Sequence, residues 1–218
     1  MSDRQRILRE KTTSAIWASS TPEGFDDEQW QGSKPVLLEK YWSGEKASPH
    51  RQATARVLWN DQGLFVLFHC MQREELVVEK SPQTSCKVIG LWDRDVCETF
   101  LARGSATPSR YFEFEAAPTG EWLDIKIHLT EQGRECDWEF TSGMSVQAKV
   151  EADRVLILMF IPWSAEIPKP AAEDVWRVNF YRCIGRDEDR GYLAWQPTFS
   201  PEPNFHVPEA FGWLRFEK

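Results

Sequence analysis

The most constraining feature of the sequence is a strict alternation of residue types between positions 111 and 127. In 111–116, aromatic residues alternate with glutamates, and in 122–127, leucine and isoleucine alternate with aspartate and lysine. A period of two is that of a β-strand with one apolar face and one polar face. Thr119 and Gly120 lie between the two runs and favour a turn, so the segment predicts an antiparallel hairpin.

A two-residue turn at Thr119-Gly120 predicts the register of this hairpin. It pairs Phe114 with Ile125 on the apolar face, and Glu113 with Lys126 on the polar face. The polar face is then either a solvated ion pair or a carboxylate surface that meets a polar ligand, because an unpaired buried charge is costly. The residues expected in the core are Phe112, Phe114, Ile125, Leu67 and Leu158.

The rest of the chain repeats this pattern on a smaller scale. About ten short strands follow one another at a spacing of roughly 8–20 residues, with almost no helical periodicity and no internal repeat. This pattern predicts an all-β fold, a jelly-roll-like β-sandwich of two antiparallel sheets. We expect one domain over residues 1–218, in which residues 1–24 form an extended or loosely helical lead-in.

Charge and hydropathy restrict the partners. The 218 residues carry a formal net charge of −8 and no basic block, which argues against nucleic acid or an anionic membrane. The longest apolar run is too short to span a bilayer. Residues 1–11 lack the apolar core of a signal peptide, so we expect a cytoplasmic protein as written, or a secreted or periplasmic one if the start is truncated.

Signatures of catalysis are absent from the sequence. It contains no GxSxG, HExxH, Walker-type or GxGxxG motif, and its four histidines share no metal-ligand spacing. Its five cysteines form no CxxC, which argues against a zinc ribbon or a thioredoxin-type site. A glycoside hydrolase could still use Glu98 and Glu113 as two carboxylates facing across a cleft. The sequence predicts a non-catalytic domain and leaves that hydrolase as an alternative.

Calcium is the metal that the acidic residues could bind. Oxygen ligands close together in a loop suit Ca²⁺, but none of these clusters has EF-hand spacing, so solvated loop acids are favoured. The candidate clusters are Asp26 with Asp27, Asp93 with Asp95, and Asp187 through Asp189.

The order of the motifs resembles the family 9 carbohydrate-binding modules, and more closely the stand-alone family-9-like domains of bacteria. The matching segments are 55–68, 92–101, 111–120, 160–164, 176–182, 193–195 and 205–212. The resemblance implies a β-sandwich that holds a sugar, in the best-known members a reducing-end sugar, between two tryptophans. It also implies that a glutamate and other polar groups bind the sugar hydroxyls, and that calcium can have a structural role.

The resemblance assigns roles to particular residues. Trp92 matches the first clamp tryptophan, Glu98 its acid, and Trp195 the second clamp tryptophan. Glu113 falls where sugar-binding members carry a basic residue, which puts the ligand's identity in question. Lys126 and Gln196 are the supporting polar groups. The family also borders on sandwich domains that bind haem, so haem binding is a further alternative.

Overall fold

The computed structural model describes residues 11–218, and within them nearly all regular structure is β. The strands are β1 (Thr12–Trp17), β2 (Val36–Leu38), β3 (Lys40–Tyr41), β4 (Ala53–Trp59), β5 (Gly63–Met71), β6 (Val96–Ala102), β7 (Arg110–Ala116), β8 (Trp122–Thr130), β9 (Gly133–Asp137), β10 (Ser145–Val150), β11 (Arg154–Pro162), β12 (Val175–Ile184), β13 (Gly191–Ala194) and β14 (Gly212–Glu217). The helical segments of the described residues are single 3₁₀ turns at Glu28–Gly32, Pro49–Arg51, Leu91–Asp93, Asp187–Asp189 and Pro208–Ala210.

The strands form one curled sheet in the order β10-β11-β5-β4-β1-β14-β12-β6-β7-β8-β9. The sheet has two halves, and within each half neighbouring strands are antiparallel. The first half contains β10, β11, β5 and β4, and the second half contains β14, β12, β6, β7, β8 and β9. The two halves pack face to face around a central core. This arrangement confirms the predicted all-β sandwich.

Strand β1 joins the two halves. It runs parallel to β14 over Thr12–Ile16 and parallel to β4 at Ile16 and Trp17, so its two ends belong to different halves. Within the lead-in expected over residues 1–24, the segment Thr12–Trp17 is extended and forms an internal strand of the sheet. Residues 1–10 of that lead-in lie outside the described residues.

The register of the β7–β8 hairpin differs from the prediction by one residue. Glu113 lies opposite Ile125, and Phe114 lies opposite Asp124. The cause is Gly120, whose φ of 84° places it in the left-handed region and adds a third residue to the turn. Its amide donates to the Ala117 carbonyl at 2.9 Å, as in a type I turn followed by a glycine bulge.

This shift gives both faces of the second half an apolar layer. Phe114 faces the central core, whereas Ile125 faces a second cluster on the outer side, together with Tyr111 and Phe205. Of the residues predicted to be core, Phe112 is half-buried and the others are buried. Within residues 11–218, no helix is long and apolar enough to cross a membrane.

Candidate functional site

A cavity of about 360 Å³ opens on the outer face of β6, β7 and β8. Its volume lies within the range of small-molecule sites. Acidic side chains from β6 and β7 form the floor, and aromatic residues from three loops form the walls. The residues that matter most for its chemistry are Trp92, Glu98, Glu113, Trp138, Tyr192 and His206.

The floor lies on a cluster of three buried carboxyl groups, of which those of Glu98 and Glu113 line the cavity. Glu113 and Glu115 lie two residues apart on β7, so period-two alternation puts them on one face, and Glu98 lies directly opposite Glu115 on β6. One oxygen from each group lies within 4.8 Å of the others. Glu113 Oε2 and both oxygens of Glu115 accept no hydrogen bond from the rest of residues 11–218, and each residue is at most 4% exposed. Glu113 and Glu115 hydrogen-bond to each other, and a shared proton avoids two buried negative charges side by side.

Burial changes the protonation of this cluster. Burial and the charge of Glu113 raise the pKa of Glu98 to about 8. Burial also raises the pKa of Glu113, and burial with both neighbouring carboxylates raises that of Glu115 well above its usual range. Because like charges in a low dielectric favour the protonated form, the cluster holds fewer than three negative charges at neutral pH.

Two tryptophans form one wall. Trp92 lies in the 3₁₀ turn Leu91–Asp93, and Trp138 follows β9. Each residue is 37% exposed, and the ring centroids are 6.2 Å apart with planes inclined by 40°. A sugar between two rings needs roughly 3.5–4 Å of contact distance on each side, so the rings are too close to hold one between them. They present a continuous aromatic surface instead.

The loop of Trp138 is fixed by an ion pair beneath it. Lys87 Nζ lies 2.6 Å from Asp124 Oδ1 and donates to the Trp138 carbonyl at 3.3 Å. Asp124 Oδ2 accepts from the Ser142 amide at 2.6 Å and from its hydroxyl at 2.7 Å. Asp124 is fully buried, so these contacts satisfy a charge that would otherwise be unpaired.

The opposite wall carries a neutral histidine. His206 Nδ1 and the Tyr111 hydroxyl form a hydrogen bond of 2.8 Å, and Nε2 lies 3.8 Å from Glu113 Oε2. Burial, helped by the positive charge of Arg134, lowers the pKa of His206 to about 3. The imidazole therefore faces the floor uncharged at neutral pH.

The structure brings three of the predicted site residues together: Trp92, Glu98 and Glu113 all line the cavity. Lys126 does not, because the one-residue register shift puts it on the other face of β8. There it pairs with Glu166 at 3.2 Å and Asp137 at 3.3 Å.

Trp195 and Gln196 also lie outside this cavity and line a separate surface pocket beside β1 and β2. The Trp195 ring packs beside Gly212 and 5.8 Å from Phe180, on the side of the central core. The backbone N–H of Gln196 donates to Asn179 Oδ1 at 3.0 Å. Both residues follow β13. Strands β13 and β6 pair with opposite edges of β12, so the side chains of Trp195 and Gln196 do not reach the floor.

Sequence reasoning missed Trp138 and His206, which line the cavity, and Glu115, which lies in the carboxyl cluster behind it. Glu115 could have been found, because it repeats the spacing of Glu113 on the same strand. Trp138 and His206 come from loops that meet the floor only in the folded chain, and no local pattern marks them.

Two of the acidic residues considered as calcium ligands have other partners. Asp27 caps a 3₁₀ turn by accepting from the Gln29 amide at 2.9 Å, and Asp95 accepts from the Gly185 amide at 2.8 Å. Within residues 11–218, the group of acidic side chains that could surround a cation is instead the Glu98, Glu113 and Glu115 floor. Its oxygen ligands are of the type that Ca²⁺ prefers.

Comparison with known families decides the relationship. The model of the family described as "Carbohydrate family 9 binding domain-like" matches residues 23–218. The chain belongs to this family. The chain is also 24% identical to a protein named "Extracellular protein" from Arthroderma benhamiae, over 77% of this chain and 80% of that protein.

Solved structures share the fold of this family 9-like domain. A candidate carbohydrate-binding protein from Bacteroides uniformis matches with a TM-score of 0.72 and 19% identity, over 95% of this chain and 99% of the other. A family 9 carbohydrate-binding module from Caldicellulosiruptor kristjanssonii, in complex with cellotriose, matches with a TM-score of 0.64 and 15% identity, over 95% and 94% of the chains. The same module in complex with glucose gives a TM-score of 0.64 and 15% identity, over 95% and 96%.

Proposed function

We propose that this protein is a non-catalytic carbohydrate-binding domain whose saccharide lies in the cavity, against Trp92 and Trp138 and above the carboxyl floor. The observation that carries this proposal is the combination of a half-exposed aromatic wall with the carboxyl groups of Glu98 and Glu113 in one cavity. Membership of the family 9-like domains supports it. The resemblance implies that Trp195 is the second tryptophan in contact with the sugar. In this proposal the second tryptophan is Trp138, because Trp138 lines the cavity and Trp195 does not.

The two kinds of surface match the two kinds of surface on a sugar. The apolar face of a pyranose packs on the flat indoles, and its hydroxyls point to the floor. Glu98, protonated below about pH 8, can donate and accept, and both Glu98 and Glu113 line the cavity. A terminal sugar ring, at the reducing or the non-reducing end, presents more free hydroxyls to the floor than an internal ring does.

The contact area of the two aromatic rings predicts weak saccharide binding. A buried aromatic ring covers roughly 150–250 Å², which at about 25 cal/mol/Å² limits its contribution to about 4–6 kcal/mol. Two half-used rings, less the cost of association, leave a Kd on the order of millimolar to micromolar. Titrations therefore need saccharide up to tens of millimolar.

We infer an absence of catalysis from the arrangement of the carboxyl groups. A hydrolase needs one ionised and one protonated carboxyl on either side of the scissile bond, which for a retaining enzyme means a separation of about 5–5.5 Å. Here the carboxyls of Glu98 and Glu113 come from neighbouring strands on one face of the sheet, with oxygens within 4.8 Å of each other, and do not face each other across a cleft. We expect no turnover of aryl glycosides, and turnover abolished in Glu98→Gln would establish the hydrolase instead.

The test of binding is calorimetric titration with glucose and cello-oligosaccharides, run with calcium and then with a chelator. Trp92→Ala and Trp138→Ala should each weaken binding at least tenfold. Trp122→Ala is the matched control, because that ring does not line the cavity. If no saccharide binds, or if the two cavity variants titrate like the control, the proposed site is wrong. Equal affinity with the chelator would exclude a calcium requirement.

A further inference from the structure

Two cysteines meet across the central core. Cys70 lies on β5 in the first half, and Cys97 lies on β6 in the second half. Their sulfur atoms are 3.3 Å apart, and each residue is 2% exposed. The two strands are not neighbours in the sheet, so this contact connects the halves directly through the core.

We propose that Cys70 and Cys97 are a disulfide site, which links the two halves of the sandwich when the protein folds under oxidising conditions. A disulfide has an S–S distance of about 2.05 Å, so closing the bond moves the two sulfurs together by about 1.2 Å. Small rotations about the two side chains can supply a movement of this size. Both thiols already face each other in the native packing.

The other cysteines are not placed to compete. Cys183 lies on the outer face of β12, where its thiol donates to Glu98 Oε1 at 3.4 Å. Cys86 is exposed and Cys136 is half-buried, and both belong to the second half or its loops. Within the described part of the chain, Cys70 and Cys97 are therefore the two cysteines that the fold places in position to form a disulfide.

The chemistry is thiol–disulfide exchange with a low-molecular-weight disulfide, RSSR. One cysteine thiolate attacks RSSR, forms a mixed disulfide and releases RS⁻; the second thiolate then attacks the cysteine sulfur and releases the other RS⁻. Two protein thiols become one disulfide, and RSSR becomes two RSH.

Burial determines when the bond can form. A thiolate must reach its oxidant, and both sulfurs are enclosed in the folded protein. The bond therefore forms during folding and resists reduction afterwards. It encloses the chain between residues 70 and 97, and such closure restricts the unfolded state and raises stability. The link also lies directly behind Glu98, on the strand that carries the cavity floor.

The experiment counts thiols after folding. The unfolded, reduced protein is refolded in a mixture of oxidised and reduced glutathione, then denatured and alkylated. The chain has five cysteines, so we expect two fewer alkylated thiols than in the reduced control, and a peptide that joins Cys70 to Cys97. The oxidised protein should also denature at a higher urea concentration than the reduced protein.

Variants identify the partners. Cys70→Ala and Cys97→Ala should each abolish the linked peptide, whereas Cys86→Ala and Cys183→Ala should retain it. The wild-type thiol count does not depend on whether any variant folds. Five alkylated thiols in the oxidised wild type, or a link to Cys183, would overturn the assignment.

Discussion

At the scale of single residues, the carboxyl floor couples stability to pH. A buried carboxyl whose folded pKa exceeds its unfolded value keeps a proton that the unfolded chain releases. For Glu98 this window runs from about pH 4.5 to about pH 8. Across it, stability falls as the pH rises, by at most about 1.4 kcal/mol per pH unit for one such group.

The first prediction concerns this dependence. Glu98→Gln removes the titration and keeps the shape of the side chain, so its stability should change less with pH than that of the wild type between pH 5 and 8. Thermal denaturation at several pH values measures the difference. The control is Glu202→Gln, because Glu202 is exposed in a loop. Parallel profiles for Glu98→Gln and the wild type would contradict the assigned pKa.

At the scale of elements, the loop after β9 depends on the ion pair below it. Lys87→Met leaves Asp124 buried without its charge partner and frees the Trp138 carbonyl. We expect a loss of about 3 kcal/mol in unfolding free energy and weaker saccharide binding, although Lys87 does not line the cavity. Calorimetric titration and urea denaturation measure the two effects.

Lys126→Met provides the matched control for Lys87→Met. Lys126 pairs with Glu166 and Asp137 at the surface, where such pairs contribute little. Binding and stability should stay close to those of the wild type. Strong loss of binding in Lys126→Met would restore the role that the sequence predicts for it.

The turn between β7 and β8 gives a prediction about backbone conformation. Gly120 has a φ of 84°, and a Cβ there would meet nothing closer than 3.7 Å. Gly120→Ala therefore costs only the left-handed strain, about 1–2 kcal/mol. Gly32→Ala is the control, since Gly32 lacks a positive φ and has similar space. Equal denaturation midpoints for the two variants would refute the role of Gly120 in the turn.

At the scale of the whole molecule, β1 joins the two halves of the sandwich. Ala15 is fully buried and lies opposite Phe216 of β14. Proline at this position removes an amide hydrogen from an internal strand and restricts its pairing. We predict that Ala15→Pro unfolds the whole domain, seen as loss of near-ultraviolet circular dichroism. Glu131→Pro, in the exposed β8–β9 turn, should fold normally.

The sequence by itself determined the fold class and part of the site. Alternation of residue types depends only on the strand period, so it predicted the β7–β8 hairpin, the burial of Phe114 and Ile125, and Glu98 and Glu113 as a pair of interest. The family resemblance also predicted Trp92 as a site residue. This was possible because Trp92 and Glu98 lie close together in the sequence.

Tertiary structure decided the rest, for physical reasons that local sequence does not contain. The left-handed Gly120 changed the register by one residue and moved Lys126 to the other face. Strand β1 became internal because it pairs with strands from both ends of the chain. The wall at Trp138, and the contact of Cys70 with Cys97, depend on loops and sheets that meet only when the chain closes on itself.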